Sequence, residues 1–393
     1  MAPPPLPEPV ASAAEGPDSR ALVLDANTRH GLVAVRALGR HGISVTAGAH
    51  QRLSAGAVSR HSDRSLQYPE PTSEADAFLA AIERELRTRD YDLLLPVHDA
   101  TVIPVTEHRE RLSRRTNVPF QSYEDLLVGL DKRHTIEVAR SVGIPHPTTL
   151  LPAALDSGAV ESQVGYPVVV KPRRGSQRVG VTVCETPAEL RRTVAATQRR
   201  HGDVLLQEYI PNGGEFGVYT VYDWESRRRG VTVQRRVRSN PPEGGPSTFR
   251  ETVEAPGLVR RADDLLSAVG WKGAAMVEFR VDSRTGRPQL MEINPRLWGS
   301  LTLTVAAGVD VPWLLYQLAT EGECESRTDY EVGVRACWLF GDLLQAVARS
   351  DRRTAVRDLL RTVPDADAYD LLSVADPGPA VAYALAGLSG RLR

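Results

Sequence analysis

Glu278, Glu292, Asn294 and Arg296 are the residues whose types and spacing point most directly to chemistry. They lie in the stretch 276–300, MVEFRVDSRTGRPQLMEINPRLWGS, which reads as a hairpin. Its arms, Ala275 to Asp282 and Pro288 to Asn294, alternate in polarity, and a three-residue loop, Arg284-Thr285-Gly286, joins them with Gly286 free to take positive φ. That register sets Glu278 opposite Glu292, with Asn294 two residues further along the same face. Carboxylates facing each other across a strand pair repel, so the arrangement is costly unless a cation sits between them. Oxygen ligands on strands suit Mg²⁺, which keeps some waters and takes its remaining ligands from phosphate. A surface hairpin with two solvated glutamates is the competing reading. The run Asn294-Pro295-Arg296 and the placing of Glu278 between Val277 and Phe279 favour the metal.

Cations come next. The chain has only three lysines, Lys132, Lys171 and Lys272, in an Arg-rich background, so each is informative. Lys171 ends the apolar run PVVVK and precedes PRRGSQRVG, a turn with Gly175, Ser176 and Gly180. A lysine there can hold a phosphate as a point charge while backbone N–H groups of the turn cover it. This is no Walker loop, because no G-K-[ST] opens a helix. Arg235, Arg236 and Arg238 share one strand; surface charge is the usual explanation, and one of them near a triphosphate could neutralise developing charge.

The pattern of Glu278, Glu292, Asn294 and Arg296, with thirteen residues between the glutamates, resembles the metal and phosphate end of the ATP-grasp superfamily, and the ATP domains of D-alanine–D-alanine ligases and of the carbamoyl-phosphate synthase large chain in particular. Asp131-Lys132 and Thr135, followed by Gly143-Ile144-Pro145, resemble that superfamily's entry segment, where the lysine approaches the nucleotide phosphates. The resemblance implies an ATP-binding set of Lys132, Lys171, Ser176, Glu215, Met291 and the adenine-side linker Glu208-Tyr209-Ile210. It makes Glu278, Glu292 and Asn294 ligands of metal, two Mg²⁺ ions with Mn²⁺ as a substitute. Arg296 and Lys171 become the catalytic cations, and Ser247, Arg250, Gly299 and Ser300 the substrate contacts, with 244–250 as a lid. The implied reaction joins a small-molecule carboxylate to an amine through an acylphosphate, releasing ADP and phosphate. A bicarbonate-activating enzyme and a non-catalytic nucleotide sensor remain the alternatives.

These residues need positioning. The expected fold class is α/β and α+β: an ATP-grasp fold behind an N-terminal Rossmann-like domain, with a small C-terminal segment. Residues 1–19, Pro- and Ala-rich without periodicity, read as a disordered tail. From Ala21 a β-α-β pattern begins, with a helix from about Thr28 to Gly39, helices near 75–88 and 105–113 and a strand at 92–97, giving a domain over 20–120. The dinucleotide fingerprint is missing, which excludes an NAD assignment. His98 and Asp99, past the end of a strand, either face the cleft or belong to a loop without function. The ATP-grasp domain spans 121–330, a small subdomain over about 130–210 and a large one over about 211–330. Within it, Thr186-Pro187-Ala188-Glu189 signals a helix start, and a covering helix runs from about Leu303 to Thr320. Residues 331–393, with VRACWLF as a strand and 341–361 as a helix, complete the large subdomain.

Net charge is −1, which gives no electrostatic case for nucleic acid or membrane. Three cysteines without metal or disulfide spacing suit a reducing cytoplasm, and no apolar run reaches membrane length. Partners are therefore expected to be small molecules, with a homodimer as one open assembly.

Overall fold

The computed structural model describes residues 19–175, 178–241, 245–348, 357 and 363–388. The expected tail thus lies almost wholly outside the described residues, as do Ser176 and, of the expected lid, Gly244.

Three sheets make up the chain. The first joins β1 (Arg20–Val23), β2 (Ser44–Ala49), β3 (Arg64–Gln67) and β4 (Leu93–Leu95), all parallel, in the order β3-β2-β1-β4. The apolar core of β1 and β4 is fully buried, as a sheet covered on both faces requires. The β1-to-helix turn is tight. Asp25 takes φ 54°, and a Cβ on Gly31 would stand 2.1 Å from the Asp25 carbonyl oxygen, so only glycine fits. The helix that follows is Arg29–Arg40, capped by Thr28 Oγ1, which accepts from Gly31 N at 3.0 Å. The expected helix at 105–113 is instead two, Asp99–Glu107 and Arg109–Leu112, because His98 caps the first and starts it six residues early.

The second sheet is antiparallel: β5 (Thr149–Leu150), β6 (Val168–Pro172), β7 (Thr182–Cys184) and β8 (Val204–Glu208), in the order β5-β8-β6-β7. Helix Pro187–His201 packs on it, capped by Thr186 as its sequence signals.

The third sheet has seven strands: β9 (Asn212–Tyr222), β10 (Arg228–Ser239), β11 (Ser247–Thr252), β12 (Gly273–Asp282), β13 (Pro288–Asn294), β14 (Arg335–Cys337) and β15 (Ala368–Tyr369). Their order is β13-β12-β9-β10-β11-β14-β15. The last two strands come from the C-terminal segment, so that segment extends this sheet. The expected helix 303–320 is broken into Leu301–Ala306 and Val311–Thr320. Gly308, at φ +94°, turns the chain, and Asp310 caps the second piece through Trp313 N. The strand expected over VRACWLF is only β14, with helix Leu339–Ala348 starting two residues later.

The C-terminal segment is also clamped to the first domain. Arg36 donates from Nε to Asp376 Oδ2 (2.8 Å) and from Nη2 to the carbonyls of Leu371 (3.2 Å) and Asp376 (3.1 Å). Ser59 Oγ and Arg60 N donate to the same carboxylate at 2.7 and 2.9 Å. Removing one partner of such a buried pair strands the other charge, which costs about 3–5 kcal/mol. Asp376→Ala is therefore expected to lower unfolding stability by about that amount and to open the 363–388 segment to protease. Urea denaturation and limited proteolysis measure the two effects.

Candidate active site

The metal-type hairpin forms as β12–β13, with Glu278 paired directly to Glu292 and Met276 to Asn294. The turn differs from expectation. Asp282 N donates to Arg287 O at 2.9 Å and Gly286 N to Asp282 O at 2.7 Å, so four residues, 283–286, make the loop, with Gly286 at φ +69°. Four residues alone would shift the register by one and separate the glutamates. A bulge between Glu278 and Phe279, with Met291 as the extra residue opposite, restores it.

Around the two carboxylates the chain has gathered cations and one amide. Asn294 Nδ2 donates to Glu278 Oε1 (3.2 Å) and Glu292 Oε1 (3.1 Å). Arg236 Nη2 donates to Glu278 Oε2 at 2.7 Å, and Lys132 Nζ lies 3.8 Å from Glu292 Oε2. Even so, burial and the neighbouring Glu292 charge hold the Glu278 carboxyl above its ordinary value. Among the described residues no cluster of three or more His, Cys, Asp or Glu side chains lies at metal-holding distance. The set here is two carboxylates and one amide. It fits a hard ion that takes its other ligands from water and phosphate, and fits poorly an ion that needs a full protein cage.

Across the cleft stand the lysines. Lys132 is the first residue of helix Lys132–Ser141, capped by Asp131, and its Nζ donates to Gly175 O at 2.5 Å. Lys171 on β6 is buried and has no hydrogen bond or ion pair of its own among the described residues. Burial and the nearby Lys132 charge push its ammonium down to about 7. An ammonium so placed is stabilised by any anion brought beside it.

Glu215, on β9, accepts from Arg280 Nη2 (2.5 Å) and Arg236 Nη1 (3.2 Å). Burial acts to raise its carboxyl, but the two guanidinium groups outweigh it and hold the group below its ordinary value. Glu208 ends β8, its Oε1 accepting from Arg284 Nη2 at 2.9 Å, and Tyr209 and Ile210 follow along the same wall. Arg296 is fully engaged: Nε to Asp99 Oδ1 (2.9 Å), Nη1 to Leu297 O (2.8 Å) and Nη2 to Asn294 Oδ1 (3.2 Å). Asp99 therefore serves the cleft. Ser300 Oγ donates to Tyr219 OH at 3.1 Å beside Gly299.

One cleft of about 1780 Å³ joins most of these groups. It brings together Lys132, Lys171, Glu208, Tyr209, Ile210, Glu215, Met291, Glu278, Glu292, Asn294, Arg296, Ser247, Gly299 and Ser300, every described residue of the expected set but one. The exception is Arg250. It lies inside β11, about 1% exposed and ion-paired to Asp370, and not in a lid loop, because β11 already begins at Ser247. Sequence reasoning left three arginines on β10 unresolved. Arg235 pairs with Glu251 and Arg238 with Asp342, past a bulge in the β10–β11 pairing, so only Arg236 reaches the acidic pair. Residues of the first domain, Asn27, Arg29, His30 and His98, also line the cleft. Their one signal was position past the carboxyl ends of parallel strands, where ligands gather.

A family model described as ATP-grasp in the biosynthetic pathway with Ter operon matches residues 200–341, and the D-ala D-ala ligase C-terminus model matches 139–240. The solved biotin carboxylase of Campylobacter jejuni, in a β,γ-ATP complex, superposes with a TM-score of 0.66 over 81% of this chain and 74% of its own, at 18% identity. The chain has the ATP-grasp fold. An L-amino acid ligase from Bacillus licheniformis is similar too, with a TM-score of 0.63 over 79% of this chain and 76% of its own, at 17% identity. In sequence, the D-alanine–D-alanine ligase of Polaromonas sp. (strain JS666 / ATCC BAA-500) is 27% identical over 191 residues, 42% of this chain. That match spans about half, 54%, of the relative's length.

Lys171 gives the site a measurable signature. With its proton affinity near 7 instead of 10.5, it is largely neutral at pH 8, and a polyphosphate beside it favours the charged form. Nucleotide binding is expected to take up a proton between pH 7 and 10.5 and none below about pH 6, where Lys171 is already charged. Titration calorimetry in buffers of different ionisation enthalpy reads this directly. Lys171→Met should remove the uptake.

Proposed function

We propose that the protein is an ATP-dependent ligase that joins a small-molecule carboxylate to an amine, with ADP and phosphate as products. The observation that carries this reading is the Glu278–Glu292–Asn294 cluster facing Lys132 and Lys171 across one cleft. The likeness to amide-forming ATP-grasp ligases supports it.

The residues divide the work. Lys132 and Lys171 hold the triphosphate by charge, and Glu208 to Ile210 flank the adenine end. Mg²⁺, held by Glu278, Glu292 and Asn294, would supply charge neutralisation at the β- and γ-phosphates. A carboxylate oxygen of the acid attacks the γ-phosphorus and the bond to the ADP oxygen breaks, leaving an acylphosphate. The amine nitrogen then bonds to the acyl carbon, phosphate leaves with the electron pair of the carbon–oxygen bond, and the nitrogen loses a proton. Arg296, fixed by Asp99 and the Leu297 carbonyl, offers its guanidinium plane at the transfer point without having to reorganise. Catalysis on this reading is positioning and fixed electrostatics.

Lys171→Ala and Glu292→Gln are each expected to cut turnover by at least about 100-fold while leaving far-UV circular dichroism unchanged. Turnover near the parent's would remove those residues from the machinery. The likeness to a biotin carboxylase keeps bicarbonate as the rival acid, and ADP release with bicarbonate alone would favour it. For the acylphosphate route, acid labelled with ¹⁸O in its carboxylate is expected to pass one label to the released phosphate. Label in AMP, or none in phosphate, rules the route out.

A further inference from the structure

The same cleft is also lined by Asn27, Arg29 and His30 of the first domain and by Trp338, Phe340 and Tyr383 from the C-terminal segment. Arg29 is next to Gly299, because a Cβ there would stand 3.1 Å from its Nη2. Nothing in the nucleotide chemistry above uses these residues.

The charge balance here is uneven. Arg29 Nη1 donates to Asp370 Oδ2 at 2.5 Å, and Arg250 Nη2 donates to the other oxygen of the same carboxylate. The buried Arg250 and the largely buried Arg29 thus share one acid. Among the described residues, Arg250 Nε and Nη1 have no acceptor and Arg29 has none beyond Asp370. Arg29 Nη2 reaches the cleft floor, since a Cβ on Gly299 would stand 3.1 Å from it. Burial, with the Arg250 charge adding to it, lowers the Arg29 guanidinium against the pull of Asp370. A net positive charge held in a dry wall is costly, and an anion is what relieves it.

Acceptors sit beside the cation. Asn27 Oδ1 and His30 Nε2 are both buried and both without a hydrogen-bond partner. His30 is about 8% exposed, and burial, reinforced by the charges of His98, Arg296 and Arg29, holds its ring well below the ordinary histidine range, so Nε2 accepts in the tautomer protonated at Nδ1. The aromatic face adjoins the cation. Arg29 stacks on Trp338 at 3.9 Å, and the Phe340 and Tyr383 rings lie 5.5 Å apart at 56°. A cation for a carboxylate, two groups able to accept an amino N–H and an aromatic face lining one cleft match the three substituents of one carbon atom.

We propose that this end of the cleft is the subsite of the amine substrate, and that this substrate is an α-amino acid with a large apolar side chain. Its carboxylate rests on Arg29, its amino group lies towards Asn27 and His30, and its side chain packs among Trp338, Phe340 and Tyr383. The inference rests on the ligase reading and names the acceptor class for it. Arg250 and Asp370 act as positioning residues, holding Arg29 from behind.

The test is a thermal-shift titration of the full chain with Mg²⁺ and the non-hydrolysable AMP-PNP. Both enantiomers of phenylalanine and of leucine, together with alanine, aspartate and phenethylamine, are then added singly. One enantiomer of phenylalanine and of leucine is expected to raise Tm by a further amount of about 2 °C or more. Alanine, lacking the apolar group, and phenethylamine, lacking the carboxylate, should add nothing. Arg29→Met should lose the phenylalanine shift and keep the AMP-PNP shift. Because Arg29 also pairs with Asp370, Tyr383→Leu serves as a second variant, expected to lose phenylalanine response before leucine response. An AMP-PNP shift with no amino-acid shift, or with alanine or phenethylamine equal to phenylalanine, overturns the subsite and leaves the nucleotide reading intact. No AMP-PNP shift at all overturns both.

Discussion

Two carboxylates held opposite each other across a strand pair repel, and Glu278 and Glu292 are held so by the ladder of β12 and β13. Neither can move away, because each is fixed by a strand inside a seven-stranded sheet. The surrounding chain is therefore arranged to offset them: Asn294 bridges, Arg236 reaches across from β10, and Lys132 approaches from the second sheet's side. Burial and the facing Glu292 still hold the Glu278 carboxyl above its ordinary value. An acidic pair on one side of the cleft and a buried lysine on the other suit a hard cation and a polyphosphate bound together, and the ligase reading proposed above rests on that complementarity.

Much of this was legible in the sequence, and the reason is local. A hairpin's partners are close along the chain, so alternation and a glycine suffice to place Glu278 against Glu292. Helix starts at Thr28 and Thr186 were legible for the same reason, because a cap acts over three residues. The bulge at Met291 was not legible. It and the longer turn are compensating irregularities that leave the pairing of the glutamates unchanged, so the pattern carries no trace of either. The break at Gly308 was visible as a residue but was overridden by the apolar periodicity on both sides of it.

What stayed hidden depends on distant packing. Arg236 differs from Arg235 and Arg238 only by which side of a twisted, bulged strand it leaves, and the bulge is set by β11. Arg250 reads as a loop cation beside glycines. Its burial follows from Asp370, 120 residues away, and from two short strands too brief to announce themselves. Asp99 was ambiguous for the same reason. Its role is decided by Arg296, which lies just past β13 of another sheet.

These distant pairs share a function that local ones cannot have. Asp99 with Arg296 and Asp370 with Arg29 and Arg250 each tie the first domain to the third sheet through a charge at the cleft wall. The Arg36–Asp376 clamp carries the C-terminal segment to the same first domain and so brings its aromatic residues to the cleft. Each carboxylate in these pairs is buried or nearly so, and its partner is oriented by it; fixed donors lose little freedom when a ligand arrives. Lys171 is the contrast. It is rooted on a rigid strand but its ammonium has no hydrogen bond or ion pair among the described residues, so its orientation is imposed by β6 while its charge responds to its surroundings. The wall cations are thus fixed in advance by the fold, while on the proposed reading Lys171 gains its full charge only when a polyphosphate lies beside it.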